Sequence, residues 1–177
     1  MSPKPNKVLI LHGWQADSKS NWFPEAKAFL EAKDLEVYTP NCPGNYYPKL
    51  DEWLEIIRSY NLDENWILIG HSLGGATILR YLEATDKPVG QVILAATPIA
   101  PMKFDPIANF FPKDYDWVKI RQNALKVNLI YEEGDQVVPL DHGQILAKKL
   151  SAPLEIIPGA IHLTKMDINV LDKTINE

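Results

Sequence analysis

The sequence holds a single cysteine, Cys42, in 177 residues. No internal disulfide can form, and no thiolate cluster can hold a metal. Long apolar runs are missing as well: residues 8–11 are followed at once by His12 and Gly13, far short of the roughly 20 residues a spanning helix needs. Clustered positive charge is also lacking. With 18 basic and 23 acidic residues the net charge is −5, the wrong sign for a surface that neutralises phosphates. A disulfide scaffold, a membrane span and a nucleic-acid partner are thereby set aside. The polar segment 1–7 has no central apolar region of the kind a secretory signal carries, so the expectation is a soluble protein of the reducing cytoplasm. No repeat or low-complexity linker divides the chain. With 46% hydrophobic and 23% charged residues, residues 1–177 are read as one globular domain.

What is present has a clear rhythm. Short aliphatic and β-branched runs at 8–11, 36–39, 66–69, 91–95, 127–131 and 154–157 read as strands. Several are apolar at consecutive positions, as parallel strands covered on both faces are. Between them lie stretches with helical spacing: 22–33 (Phe23, Ala26, Phe29, Leu30), 50–57 (Leu50, Trp53, Leu54, Ile57), 76–82, 145–150, and finally Leu163, Met166, Val170 and Leu171. Alternating strand and helix predict an α/β fold with a mostly parallel, doubly wound sheet. Residues 97–117 break the pattern. Four prolines there exclude a long regular helix, while Phe104, Phe110, Phe111 and Trp117 offer apolar surface. Such a segment is either a satellite cluster or the wall of a site, and these four aromatics are the candidate substrate pocket.

Immediately after the 66–69 strand stands Gly70-His71-Ser72-Leu73-Gly74-Gly75, which matches the G-x-S-x-G nucleophile elbow. Three fixed positions arise by chance in roughly 1 in 20 chains of this length, so the pattern gains its weight from the strand before it and the helix after. A serine hydroxyl attacks only when a base takes its proton, and in a parallel α/β sheet that base should lie beyond a strand's carboxyl end. Of His12, His71, His142 and His162, the last sits in the loop after the final strand. His142 reads as a solvated helix-start residue, and His71 as packed beneath the elbow. The base needs an acid: Asp135 follows the 127–131 strand across Glu132-Glu133-Gly134. Glu132, Glu133 and Asp141 are its rivals, the first two sitting closer to the strand. The order Ser72, Asp135, His162 is that of the α/β-hydrolases. An oxyanion hole calls for two backbone N–H groups. They are expected from Leu73, next to the nucleophile, and from Trp14 in the loop His12-Gly13-Trp14.

Taken together, the segments Val8-Leu-Ile-Leu-His-Gly-Trp14, Asn21-Trp-Phe-Pro24, Gly70-His-Ser-Leu-Gly74, Gly134-Asp-Gln-Val-Val-Pro139 and the late His162 resemble the small serine hydrolases related to retinoblastoma-binding protein nine and the bacterial YdeN-like proteins. The resemblance covers nearly the whole chain. It implies a compact α/β-hydrolase fold without a large cap domain and a triad of Ser72, Asp135 and His162; no cofactor is expected. It brings a protein partner into consideration alongside a small-molecule acyl substrate. One departure is Ala160-Ile161, where many relatives have glycine before the histidine; a side chain there narrows the conformations open to the loop.

Two other functions compete with a hydrolase. Gly70 to Thr77 nearly spells a phosphate-binding loop, but Ala76 stands where the lysine should be. A non-catalytic binding module on a hydrolase scaffold would not be expected to keep all three triad residues. No metal site is read, since no histidine pair has ligand spacing, and Cys42 in Pro40-Asn-Cys-Pro-Gly44 reads as a packed small residue.

Overall fold

The computed structural model describes residues 4–103 and 105–176. Six strands, β1 (Lys7–Leu11), β2 (Glu36–Tyr38), β3 (Trp66–His71), β4 (Gln91–Ala95), β5 (Val127–Glu132) and β6 (Leu154–Ile157), form one sheet in the order β2-β1-β3-β4-β5-β6. Every neighbouring pair is parallel. The protein is thus a single α/β domain with a doubly wound sheet. All six strands coincide with the runs expected from the sequence. β3 continues to His71 and β5 to Glu132, because β3 is buried at every position and β5 at all but its first, with partners on both sides.

The reason for consecutive apolar positions is visible in the two cores. Alternate strand residues point to opposite faces. Val8, Ile10, Ile67, Ile69, Ile93 and Ile130 enter one layer with Phe23, Ala26 and Leu30 of helix α1 (Phe23–Glu31) and Leu171 of α6 (Ile168–Asn176). Leu9, Leu11, Leu68, Leu94, Leu129 and Tyr131 enter the other, beneath α2 (Leu50–Ser59), α3 (Leu73–Ala84), α4 (Trp117–Asn123) and α5 (Leu140–Leu150). In α2 the buried stripe is Trp53, Leu54 and Ile57. Asp51 and Glu52 in its first turn and Arg58 in its last complement the helix dipole.

One helical expectation needs correction, and one helix was not expected. The last helix starts at Ile168, so Leu163 and Met166 are buried from a preceding turn rather than from a helical face. Helix α4 lies at the end of the irregular stretch, started by the Asp116 side chain, which accepts a hydrogen bond from the Lys119 N–H. Within 97–116 the only regular piece among the described residues is a short 3-10 helix, Asp105–Phe110. Among the described residues, no helix is long and apolar enough to cross a membrane.

Candidate active site

At the carboxyl end of β3 the chain reverses into α3 through Ser72, whose φ of 53° and ψ of −122° are strained for a residue with a Cβ. The strain persists because the surroundings hold both peptide groups. The Ser72 N–H donates to the Ala95 carbonyl at 2.8 Å, and its own carbonyl accepts from the N–H groups of Gly75 and Ala76. The flanking glycines are required by contact. A Cβ on Gly70 would lie 2.5 Å from the Gly75 Cα, one on Gly74 only 2.4 Å from the Leu11 carbonyl oxygen, and one on Gly75 only 1.9 Å from Thr97 Oγ1. Strand β3, α3 and the loop after β1 therefore converge on the serine.

β5 and β6 bring the other two groups to the same end of the sheet. His162 Nε2 stands 2.9 Å from Ser72 Oγ, and His162 Nδ1 lies 2.7 Å from Asp135 Oδ2. An ionised carboxylate can only accept, so Nδ1 carries the proton. Nε2 is then free to accept from the serine hydroxyl. Asp135 is itself oriented: its Oδ1 accepts from the N–H groups of Val137 and Val138 at 2.8 and 3.0 Å. Burial pushes its carboxyl up, but the hydrogen bond from His162 and those two backbone donors outweigh burial and hold it below the ordinary carboxylate value. The acid is ionised at neutral pH.

The remaining histidines have other duties. His71 is buried against Trp22 and Phe23, and its Nε2 donates to the His162 carbonyl at 2.8 Å. Burial, with help from the neighbouring His162, drives its pKa down to about 4, so it remains neutral. His12 Nε2 accepts from the Cys42 N–H at 2.8 Å, which leaves Nδ1–H to donate to the Gly13 carbonyl. That ring pins the loop after β1 to the loop after β2. His142 corrects the reading of a solvated helix start: it is half-buried, and its Nδ1 accepts from the Ile99 N–H at 3.0 Å, anchoring the start of the 97–117 segment.

Leu73 opens α3 beside the serine. Gly13 packs on the elbow so closely that a Cβ there would lie 3.0 Å from Ser72 Cβ, which brings the loop after β1 against the serine. The three described residues among the expected pocket aromatics are not gathered there. Phe110 has no exposed surface and stacks edge-on against Trp53 at 5.3 Å, so it is a core residue. Phe111 and Trp117 line a groove of about 570 Å³ with Ile99, Tyr115 and Ile145, and none of Ser72, Asp135 and His162 borders it. Phe104 lies outside the described residues. Trp22 has a place at the site that its motif does not reveal: its indole N–H donates to the Leu163 carbonyl at 2.9 Å and braces the histidine loop. Glu132, set aside as a rival acid, touches that loop too. Glu133 and Asp141 are exposed. Among the described residues no group of three or more His, Cys, Asp or Glu is placed to hold a metal ion.

Comparison with known proteins places the fold in a family. A family model described as serine hydrolase matches residues 8–167. YdeN of Bacillus subtilis (strain 168), named as a hydrolase, is 33% identical over 155 residues, covering 84% of this chain and 80% of that one. The rat serine hydrolase RBBP9 is 22% identical over 175 residues, 97% of this chain and 94% of its own. The crystal structure of the ydeN gene product superposes with a TM-score of 0.89 at 29% identity, covering 97% of this chain and all of that one. A lipase-esterase related protein from Clostridium acetobutylicum shares the fold, at a TM-score of 0.75 and 15% identity over 98% of this chain and 94% of its own. On the breadth of the family match and the identity to YdeN, the chain belongs to the serine hydrolase family.

Proposed function

We propose that the protein hydrolyses small, uncharged carboxylic esters or related acyl compounds through an acyl-enzyme on Ser72. The observation that carries this reading is the unbroken relay from Ser72 Oγ through the His162 ring to Asp135, at 2.9 and 2.7 Å. Ser72 Oγ attacks the acyl carbon as its proton passes to His162 Nε2. The carbonyl oxygen becomes an oxyanion, received by the backbone N–H groups of Leu73 and Trp14. Collapse expels the alcohol, which leaves with the proton from His162. Water then attacks the acyl-enzyme, giving its proton to His162, and the carboxylic acid departs as Ser72 recovers its hydrogen. Throughout, Asp135 remains an anion. The reaction is assigned to the cytoplasm, where the buried Cys42 thiol stays reduced.

The small substrate follows from the scarcity of wall around the serine. The aromatic groove of Phe111 and Trp117 does not reach the triad, so those rings add no cover for a long acyl chain. Each covered methylene adds about 0.8 kcal/mol of binding, so chain length stops being rewarded once the cover ends. Wild-type protein should react with a fluorophosphonate and the folded Ser72→Ala variant should not, with ester turnover falling by about a millionfold. Labelling retained without the Ser72 hydroxyl would overturn the assignment of the nucleophile. Across p-nitrophenyl esters kcat/KM should peak between acetate and butyrate; a continuous rise to dodecanoate would overturn the small-substrate reading.

A further inference from the structure

Glu132 ends β5 with its side chain buried, 2% exposed. Carboxylates are almost never buried without partners, and the partners here are specific. Its Oε2 accepts from the Ile161 N–H at 2.9 Å and from the Leu163 N–H at 3.0 Å. These two donors flank His162, and both His162 (φ 60°) and Leu163 (φ 48°) hold the left-handed conformation. Backbone N–H groups two residues apart that converge on one oxygen make a concave anion-binding nest. The nest is filled from within the protein.

The other carboxylate oxygen explains Gly159. A Cβ at that position, where φ is +151°, would lie 2.3 Å from Glu132 Oε1. The opposite polarity of the loop is held separately, by His71 Nε2 on the His162 carbonyl and Trp22 Nε1 on the Leu163 carbonyl. The N–H groups of Ile161 and Leu163 thus meet the carboxylate, and the carbonyls of His162 and Leu163 meet the two rings. Ile161, half-exposed, therefore contributes its backbone to the clamp while its side chain stays at the surface.

We propose that Glu132 is a positioning residue for His162: its carboxylate holds residues 161–163 in the left-handed turn that sets the imidazole between Asp135 and Ser72. This rests on His162 being the general base proposed above. It adds a fourth group, one that never touches substrate. The expected consequence of losing the clamp is a change in kcat with little change in KM, since binding of the ester does not use Glu132.

The experiment compares wild type, Glu132→Ala and Glu132→Gln. Glutamine retains an acceptor oxygen for both N–H groups. Glu132→Ala should lower kcat and the rate of fluorophosphonate labelling by about a hundredfold, the scale of a misplacement near 1 Å, with KM unchanged within about threefold. Glu132→Gln should recover to within about tenfold of wild type. In parallel, the downfield proton resonance of the His162 Nδ1–H on Asp135 should be present in wild type and Glu132→Gln and lost in Glu132→Ala. A folded Glu132→Ala protein with wild-type labelling and an intact resonance overturns the proposal. Should alanine prevent folding, Glu132→Asp keeps the charge but withdraws both oxygens by one methylene, and the same readouts apply. If wild type itself fails to label, the catalytic reading falls; the resonance still tests the clamp, which stands if the signal is lost in Glu132→Ala and falls if it persists.

Discussion

Asp135 uses both carboxylate oxygens, one on the imidazole and one on the paired N–H groups of Val137 and Val138. An amide could satisfy only part of this set, because its NH2 face would oppose either the N–H pair or the protonated Nδ1. Asp135→Asn should therefore keep the fold while lowering kcat on the order of a thousandfold or more, through loss of the tautomer and of the anion that stabilises the imidazolium. Steady-state turnover of p-nitrophenyl acetate measures it, and a loss below tenfold would assign the orienting role elsewhere. Much at this scale was legible from residue types. Ser72, Asp135 and His162 could be nominated because a nucleophile, an acid and a base each need one kind of side chain at a strand end. Glu132 could not be assigned its place, since a carboxylate that bonds backbone N–H groups 29 and 31 residues away leaves no spacing pattern. Its one signal was a charged residue ending a buried strand.

Between β4 and β5 the excursion shows how far pattern reading reaches at the scale of elements. Its prolines exclude a long helix, as the structure bears out, but the described aromatics do not wall the site as expected. Which side they cover depends on the fold. Phe110 packs under α2 against Trp53, and Arg80, itself buried, donates to the Phe110 carbonyl at 3.0 Å and stacks on Tyr115 at 3.7 Å. The segment is thus fastened to α3 as part of the core. Phe110→Ala should cost about 3–5 kcal/mol of stability, as expected for emptying a fully buried aromatic site. Phe111→Ala, at a half-buried position lining the groove, should cost clearly less. Urea unfolding of the two variants compares them directly, and equal losses would show that Phe110 has no special role in the core.

The whole molecule carries three histidines whose pKa values are lowered chiefly by burial: His12, His71 and His142. Each is neutral when folded but takes a proton at its ordinary value near 6.5 when the chain unfolds. Between those two values the unfolded state binds more protons, so stability is fully present above about pH 6.5 and declines as pH falls. For His71, with a folded value of about 4, the loss between pH 6.5 and 4 is on the order of 3 kcal/mol. Below that window Asp135, held under its ordinary value, adds a further loss as it is protonated. Urea midpoints at pH 7, 5.5 and 4.5 should fall in that order, and His71→Gln should flatten the slope even where it lowers the midpoint at pH 7. An unchanged slope in that variant would remove His71 as the source.

Local chemistry alone determined the strand positions, the parallel α/β class and the elbow. Consecutive apolar residues need cover on both faces, and a turn this tight needs glycine beside its serine. Tertiary structure decided what faces what: that Phe110 enters the core, that His142 meets Ile99, and that Glu132, His71 and Trp22 close around residues 161–163. Those contacts join segments distant in sequence, and their directions are set by the pairing of β5 with β6 and the packing of α1 beneath the sheet. Neither arrangement exists until the chain has folded.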